Sequence, residues 1–181
     1  MDRPENMVIR EKYLNALIRM KDKRDVIKAV TGVRRCGKST ILLQFRDHLV
    51  SSGVSDANIV SFNFESMTVP GVKDAESLYR LLEKSITSEE TTYFLLDEIH
   101  RVEGWEKAVN SIRIDRKANI YITGSNSVIL SGKLTKDLTG RFIEIPAHPM
   151  SLGEFMELNG IDDEAAALDR YMKLGALPVI N

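Results

Sequence analysis

Val26–Thr40, VIKAVTGVRRCGKST, is the stretch from which the fold can be read. Its first part, Val26 to Thr31, is apolar and strand-like; a glycine turn follows, and a helix opens at Lys38. Within it Gly32, Gly37, Lys38 and Ser39 keep the spacing G-x-x-x-x-G-K-[ST]. A loop of that form must turn successive backbone N–H groups toward one anion, which needs glycines free of Cβ constraints. The following helix adds its unpaired N–H groups and the positive end of its dipole. Lys38 supplies a mobile charge for the β- and γ-phosphates, and the Ser39 hydroxyl is a ligand for Mg²⁺. Gly32, Val33, Arg34, Arg35, Cys36, Gly37, Lys38, Ser39 and Thr40 are therefore the candidate phosphate-binding residues.

Working outward, the 181 residues suffice for one sizeable core and a small appendage. A net charge of −1 provides no global field to recruit nucleic acid or an anionic membrane. A single cysteine excludes an intrachain disulfide and fits a reducing compartment. The opening MDRPENMVIR lacks an apolar signal core, and no later run is long enough to span a bilayer. The expectation is a cytoplasmic protein with no membrane association.

Three regions follow: an amphipathic N-terminal helix (1–24), a core (25–150), and the start of a helical lid (151–181) that reads as cut short. In the first, Ile9, Tyr13, Leu14, Leu17 and Ile18 form an apolar stripe. The opposite side carries Arg10, Lys12, Arg19, Lys21, Lys23 and Arg24, either a solvated face or a nucleic-acid contact. In the core, strand-like segments at 58–65, 91–97, 118–125 and 141–145 alternate with helical ones, including a helix capped by Asp74 and another over 104–115. That alternation predicts an α/β fold with a parallel sheet. Ser151 and Glu154 have capping-box spacing, ahead of Phe155.

A second motif decides what the loop is for. Thr91–Asp97 is an apolar run that ends in Asp97 and Glu98, at the strand end where open α/β sheets bind ligands. Asp97 is placed to hold the hydration shell of Mg²⁺, and Glu98 to polarise a water toward a γ-phosphate. The segment Thr123–Asn126 has the character of a phosphate sensor, with Ser125 and Asn126 as candidates. Asn63 is a weaker candidate for restraining Glu98. Cys36, beside Lys38 and a helix start, is expected to be thiolate-prone. Asp137–Gly140 and Ser131–Thr135 imitate nucleotide motifs without the flanking strand or glycine those need, and the three histidines lack metal-ligand spacing.

Gly32–Ser39, Asp97–Glu98, Thr123–Asn126, Gly140-Arg141-Phe142 and the run Pro149-x-Ser-x-x-Glu-Phe together resemble the AAA-type ATPases of bacteria and archaea. The last two narrow the resemblance to a branch with an uncharacterised C-terminal domain, near the STAND signalling ATPases. The resemblance implies a three-layer P-loop sandwich of ASCE type. Its five parallel strands would run in the order 5-1-4-3-2, with Mg²⁺ and ATP as ligands and ADP as product. It implies that Arg141 is similar to an arginine finger working across a subunit boundary, which requires a homo-oligomer. Where that family has Gly-Gly-x-Pro near its lid, Ala176 replaces the second glycine. The activity implied is ATP hydrolysis that remodels an unidentified protein or nucleic-acid client. A slow-hydrolysing nucleotide switch and a DNA-handling motor are the alternatives.

Overall fold

The structure, a computed structural model, describes residues 7–66, 69, 71–125, 140–175 and 177. Asn126, the two imitation motifs up to Gly140, and Ala176 lie outside them. Five strands, β1 (Ile27–Thr31), β2 (Ile59–Asn63), β3 (Thr92–Asp97), β4 (Ala118–Gly124) and β5 (Phe142–Pro146), form one sheet. Their order is β2-β3-β4-β1-β5 and every pairing is parallel. This is the expected 5-1-4-3-2 arrangement. β3 and β1 are thus not neighbours; β4 lies between them and contributes its own end to the space above both.

The layers follow from the period of two along each strand. Phe94 and Leu96 join Ile27, Ala29, Ile120 and Ile122 on one face, under α3 (Ala75–Lys84) and α4 (Trp105–Asp115). Tyr93 and Leu95 join Val30 and Tyr121 on the other, under α1 (Glu11–Arg19) and α2 (Lys38–Ser51). Burial on both faces explains why β3 reads as a continuous apolar run rather than an alternating one. Trp105 is an anchor of the α3–α4 side. Each fully buried large apolar side chain of this kind contributes roughly 1.5–3 kcal/mol.

β5 runs one residue further than its sequence suggests, pairing Pro146 with Thr31. Among the described residues only β1 pairs with it, so the N–H that proline lacks is not missed. Beyond the sheet, α5 (Leu152–Asn159) starts at a complete Ser151–Glu154 capping box. α6 (Glu164–Leu174) packs back on it, with Tyr171 edge-on to Phe155 at 5.3 Å and its hydroxyl donating to Met150 O at 2.6 Å. The basic face expected of the first helix is corrected at one position: Arg10 is buried, not solvated.

Candidate nucleotide site

The C-terminal ends of β1, β3 and β4 gather the chemistry in one place. β1 passes into the loop at Gly32, where a side chain is impossible: a Cβ would lie 2.4 Å from Ala147 O and 2.6 Å from Cys36 Sγ. Gly37, with φ +91°, opens α2 without a side-chain cap. Among the described residues two non-glycine residues also hold left-handed backbone, Arg35 (φ 66°) and Glu98 (φ 53°). Left-handed geometry costs an ordinary L-residue energy and gathers at functional sites. Here one such residue lies in the loop and the other is the acid facing it.

Lys38 is buried at 5% exposure, and its ammonium donates to the carbonyls of Gly32 and Val33 at 3.2 Å each. Its remaining contact is Glu98 Oε1 at 3.5 Å. Loop and acid, 60 residues apart in sequence by their numbers, therefore share one cation. Asp97, 1% exposed, accepts at Oδ1 from the Thr123 hydroxyl, whose oxygen in turn accepts from the Glu98 N–H at 2.9 Å. Burial pushes the Asp97 carboxyl above its usual range, against the pull of the Thr123 and Ser39 hydroxyls and Lys38. Its other oxygen, Oδ2, is buried with no hydrogen-bond partner among the described residues. A buried carboxylate oxygen left over beside a serine hydroxyl fits a hard divalent cation such as Mg²⁺, which binds through carboxylates and water. Among the described residues no cluster of three His, Cys, Asp or Glu offers a metal site of another kind.

Several of these residues have surroundings that differ from those the sequence suggests. In the sensor segment Thr123, two places before Ser125, touches both acids; Ser125 has no such contact, and Asn126 lies outside the described residues. The β3–β4 register, which pairs Leu96 with Ile122, makes Thr123 the next neighbour of Asp97. Asn63 does not restrain Glu98: its Oδ1 accepts from Glu65 N at 2.8 Å, closing its own turn. His100, for which the sequence offers no role, has Nδ1 3.4 Å from Glu98 Oε2. Cys36 is fully buried, and burial pushes its thiol up despite Lys38 and Arg10, opposite to the expected thiolate character. Arg34 projects outward to Glu65 at 3.1 Å, an acid it shares with Arg101 at 3.0 Å.

Arg141 is exposed at the entrance to β5, where its carbonyl accepts from Ile27 N. Because β5 runs parallel to β1, that is the opposite end of the sheet from the loop, roughly 15 Å of strand away. It cannot serve the phosphate loop of its own chain. A cavity of about 530 Å³ reaches Asp97, but its other lining residues, among them Leu42, Leu43, Arg46, Ser61 and Asn63, include none of the loop, so it flanks the loop rather than filling it.

A parallel sheet in this order, with a phosphate loop after β1 and paired acids after β3, defines a P-loop nucleotide-binding protein. The chain belongs to the AAA_14 family, whose model, an AAA domain, matches residues 24–156. It is 44% identical over 179 residues to an uncharacterised protein of Haemophilus influenzae, covering 96% of this chain and 44% of that one. It is 29% identical to the uncharacterised protein MJ1544 of Methanocaldococcus jannaschii, covering 94% of this chain and 40% of that one. The chain thus spans less than half the length of these relatives. Among solved structures it is similar to the extended S. cerevisiae Hsp104:casein complex, with TM-score 0.65, 16% identity, and coverage of 96% of this chain and 36% of that one. It is also similar to Cdc6p from Pyrobaculum aerophilum, with TM-score 0.55, 12% identity, and coverage of 91% and 51%. Those likenesses concern the fold. The family makes this a nucleotide-binding, ATPase-like domain. Among the described residues no helix is long and apolar enough to cross a membrane.

Proposed function

We propose that this domain binds Mg-ATP and hydrolyses it to ADP and phosphate. The observation that carries the reading is the convergence of Lys38 and Glu98, 3.5 Å apart, above the ends of two strands separated by β4. Lys38 neutralises the β- and γ-phosphates, and the loop and first-turn N–H groups of α2 hold them. Ser39 and Asp97 are the residues that would hold Mg²⁺, which when bound neutralises charge on the transferring phosphoryl group. Glu98 orients and deprotonates the attacking water. Thr123 fixes both acids at once, since its single oxygen accepts from the Glu98 N–H while its proton goes to Asp97.

Arg141 acts in trans in this reading, because its own loop lies at the other end of the sheet; the active form is then a homo-oligomer. The use made of hydrolysis is remodelling of a partner, an assignment that rests on fold-level analogy. The test is steady-state ATPase rate per subunit against protein concentration, with isothermal calorimetry of Mg-ATP. The reading expects binding at all concentrations and a rate per subunit that climbs with assembly. No heat with Mg-ATP would end it.

One observation favours a second reading, a slow switch of the STAND kind in which ATP binding changes a partner contact. Glu98 is engaged by Lys38 on one oxygen and lies beside His100 on the other, so a water-activating pose requires it to leave both. A flat, low rate across concentrations, with binding intact, would select this reading.

A further inference from the structure

A cation outside the nucleotide set grips the phosphate loop from behind. Arg10, immediately before α1, is 3% exposed, and its guanidinium reaches three separate segments. Nε donates to Glu154 Oε1 at 2.6 Å, Nη1 to Cys36 O at 2.9 Å, and Nη2 to His148 O at 3.0 Å. The Tyr13 ring lies 4.7 Å from its Cζ, and the Tyr13 hydroxyl accepts from His148 N at 3.0 Å. The Arg10 backbone is pinned as well, its N–H donating to Gln44 Oε1 on α2 at 2.9 Å. A planar, rigid fork with this many acceptors determines orientation as well as charge.

The bond to Cys36 O is the one with consequences. No peptide among the described residues is cis, and across a trans peptide the carbonyl and the following N–H point to opposite sides. Holding Cys36 O against Arg10 therefore turns the Gly37 N–H away from Arg10. A flipped peptide would set that N–H against the guanidinium, donor facing donor, and leave a buried cation short of an acceptor. A Cβ on Gly37 would sit 3.1 Å from Arg10 Nη1, so the guanidinium packs directly on this peptide.

We propose that Arg10 is a positioning residue that fixes the Cys36–Gly37 peptide with its N–H facing the phosphate chain, and that Glu154 sets Arg10. Glu154 does two things at once: Oε1 holds Arg10, and Oε2 accepts from Ser151 N at 2.7 Å to close the capping box of α5. The Pro-x-Ser-x-x-Glu-Phe run thereby joins the helix after the sheet to the phosphate loop through two charge-assisted bonds. A shift of α5 changes the hold on Arg10 and so the affinity for a nucleoside di- or triphosphate. This inference rests on the nucleotide-binding reading above.

The test compares wild type with Arg10→Gln, Arg10→Lys, Glu154→Gln and the double variant Arg10→Gln/Glu154→Gln in the 181-residue chain. Mg-ADP, Mg-ATP and adenosine affinities are measured, with circular dichroism to check folding. Arg10→Gln and Arg10→Lys are expected to weaken Mg-ADP and Mg-ATP about tenfold and Glu154→Gln about threefold, with adenosine unchanged. If Arg10 served only as a nearby positive charge, Arg10→Lys would keep wild-type affinity; if it only neutralised Glu154, the double variant would regain it. Either result overturns the proposal, as do variants that all bind like wild type. Should the Arg10 variants fail to fold, Glu154→Gln decides, and unchanged affinity in that folded variant overturns the link to α5. Wild type that fails to bind Mg-ADP would instead defeat the nucleotide reading, and this inference with it.

Discussion

Two buried lysines stand at opposite ends of the sheet, and their surroundings set the cation proposed to meet phosphate apart from one enclosed by the fold. Lys38, beyond the C-terminal end of β1, rests on two carbonyls of the loop proposed to hold phosphate, and it faces the Glu98 carboxylate at 3.5 Å. Lys28, at the start of β1, is 0% exposed and closed in. Its ammonium is held by Lys23 O and by Asn119 Oδ1 at 2.8 Å, and lies 4.9 Å from the centre of the Tyr121 ring. Burial pushes the Lys28 ammonium down to about 8, against the opposing pull of Asp22 and Asp25. In the proposed reading the partners at one end are exchanged for phosphate; at the other they are acceptors around a side chain that is 0% exposed.

The largest effect expected from that contrast is at Glu98. Glu98→Gln should bind Mg-ATP normally and turn over about a thousandfold more slowly, the range for loss of a general base. Wild-type turnover in a coupled phosphate-release assay would remove Glu98 from its role. Lys38→Ala should lose about a hundredfold or more in Mg-ATP affinity by calorimetry, as one or two charge-assisted bonds to phosphate disappear. Lys28→Met should leave that affinity unchanged. If both lysine variants lost binding equally, the two ends of the sheet would not be functionally distinct.

Lys28 makes its own prediction, in stability. Its ammonium is more acidic in the fold than in the unfolded chain, where the value is 10.5, so below about pH 8 the charged form is carried into the fold at full cost. As pH rises from 8 toward 10.5 the folded protein releases that proton before the unfolded chain does, and stability increases. The gain is on the order of 3 kcal/mol at most, because each pH unit between the folded and unfolded values is worth about 1.4 kcal/mol. Cys36, raised by burial from its ordinary 9.0, acts in the opposite direction from about pH 9, and Tyr93 and Tyr121 from about pH 10, so the Lys28 effect is read as the difference between wild type and Lys28→Met from pH 8 to 10. Across that window urea midpoints should climb in wild type relative to Lys28→Met. A parallel climb in both would assign the effect elsewhere.

How much of this is legible in the sequence follows from where each signal lives. The phosphate loop and the Asp97–Glu98 pair are local: a strand, a turn and a fixed spacing place them. The strand order comes through resemblance, since adjacency of β1 with β4 and β5 is not written in any one segment. Thr123 is hidden behind Ser125 because only the β3–β4 register, one step beyond Leu96 and Ile122, says which residue faces Asp97. Arg10 reads as solvated because it sits among surface lysines and arginines, while its partners at Cys36, His148 and Glu154 are 26 to 144 residues away. Lys28 carries no signal at all, since a lysine in a short strand is ordinarily a surface residue. Cys36 misleads for a related reason: neighbours in sequence suggest positive charge, and packing against Gly32 supplies burial instead.

The smallest effect returns to the nucleotide end and asks whether its acids are held as firmly as Lys28 is. Thr123 donates to Asp97 Oδ1 and accepts from Glu98 N, and Asp97 Oδ2 already lacks a partner among the described residues. Thr123→Val keeps the shape of the side chain but removes the hydroxyl that donates to a 1%-exposed carboxylate, at a cost of roughly 2 kcal/mol. Thr123→Ser retains the hydroxyl and should lose about half of that or less. Mg²⁺ with ADP should recover more stability in Thr123→Val than in wild type, because the carboxylate gains most where it has least. Equal recovery in the two would mean that Asp97 is held by the fold and not by the ligand, which would make this end of the sheet as closed as the other.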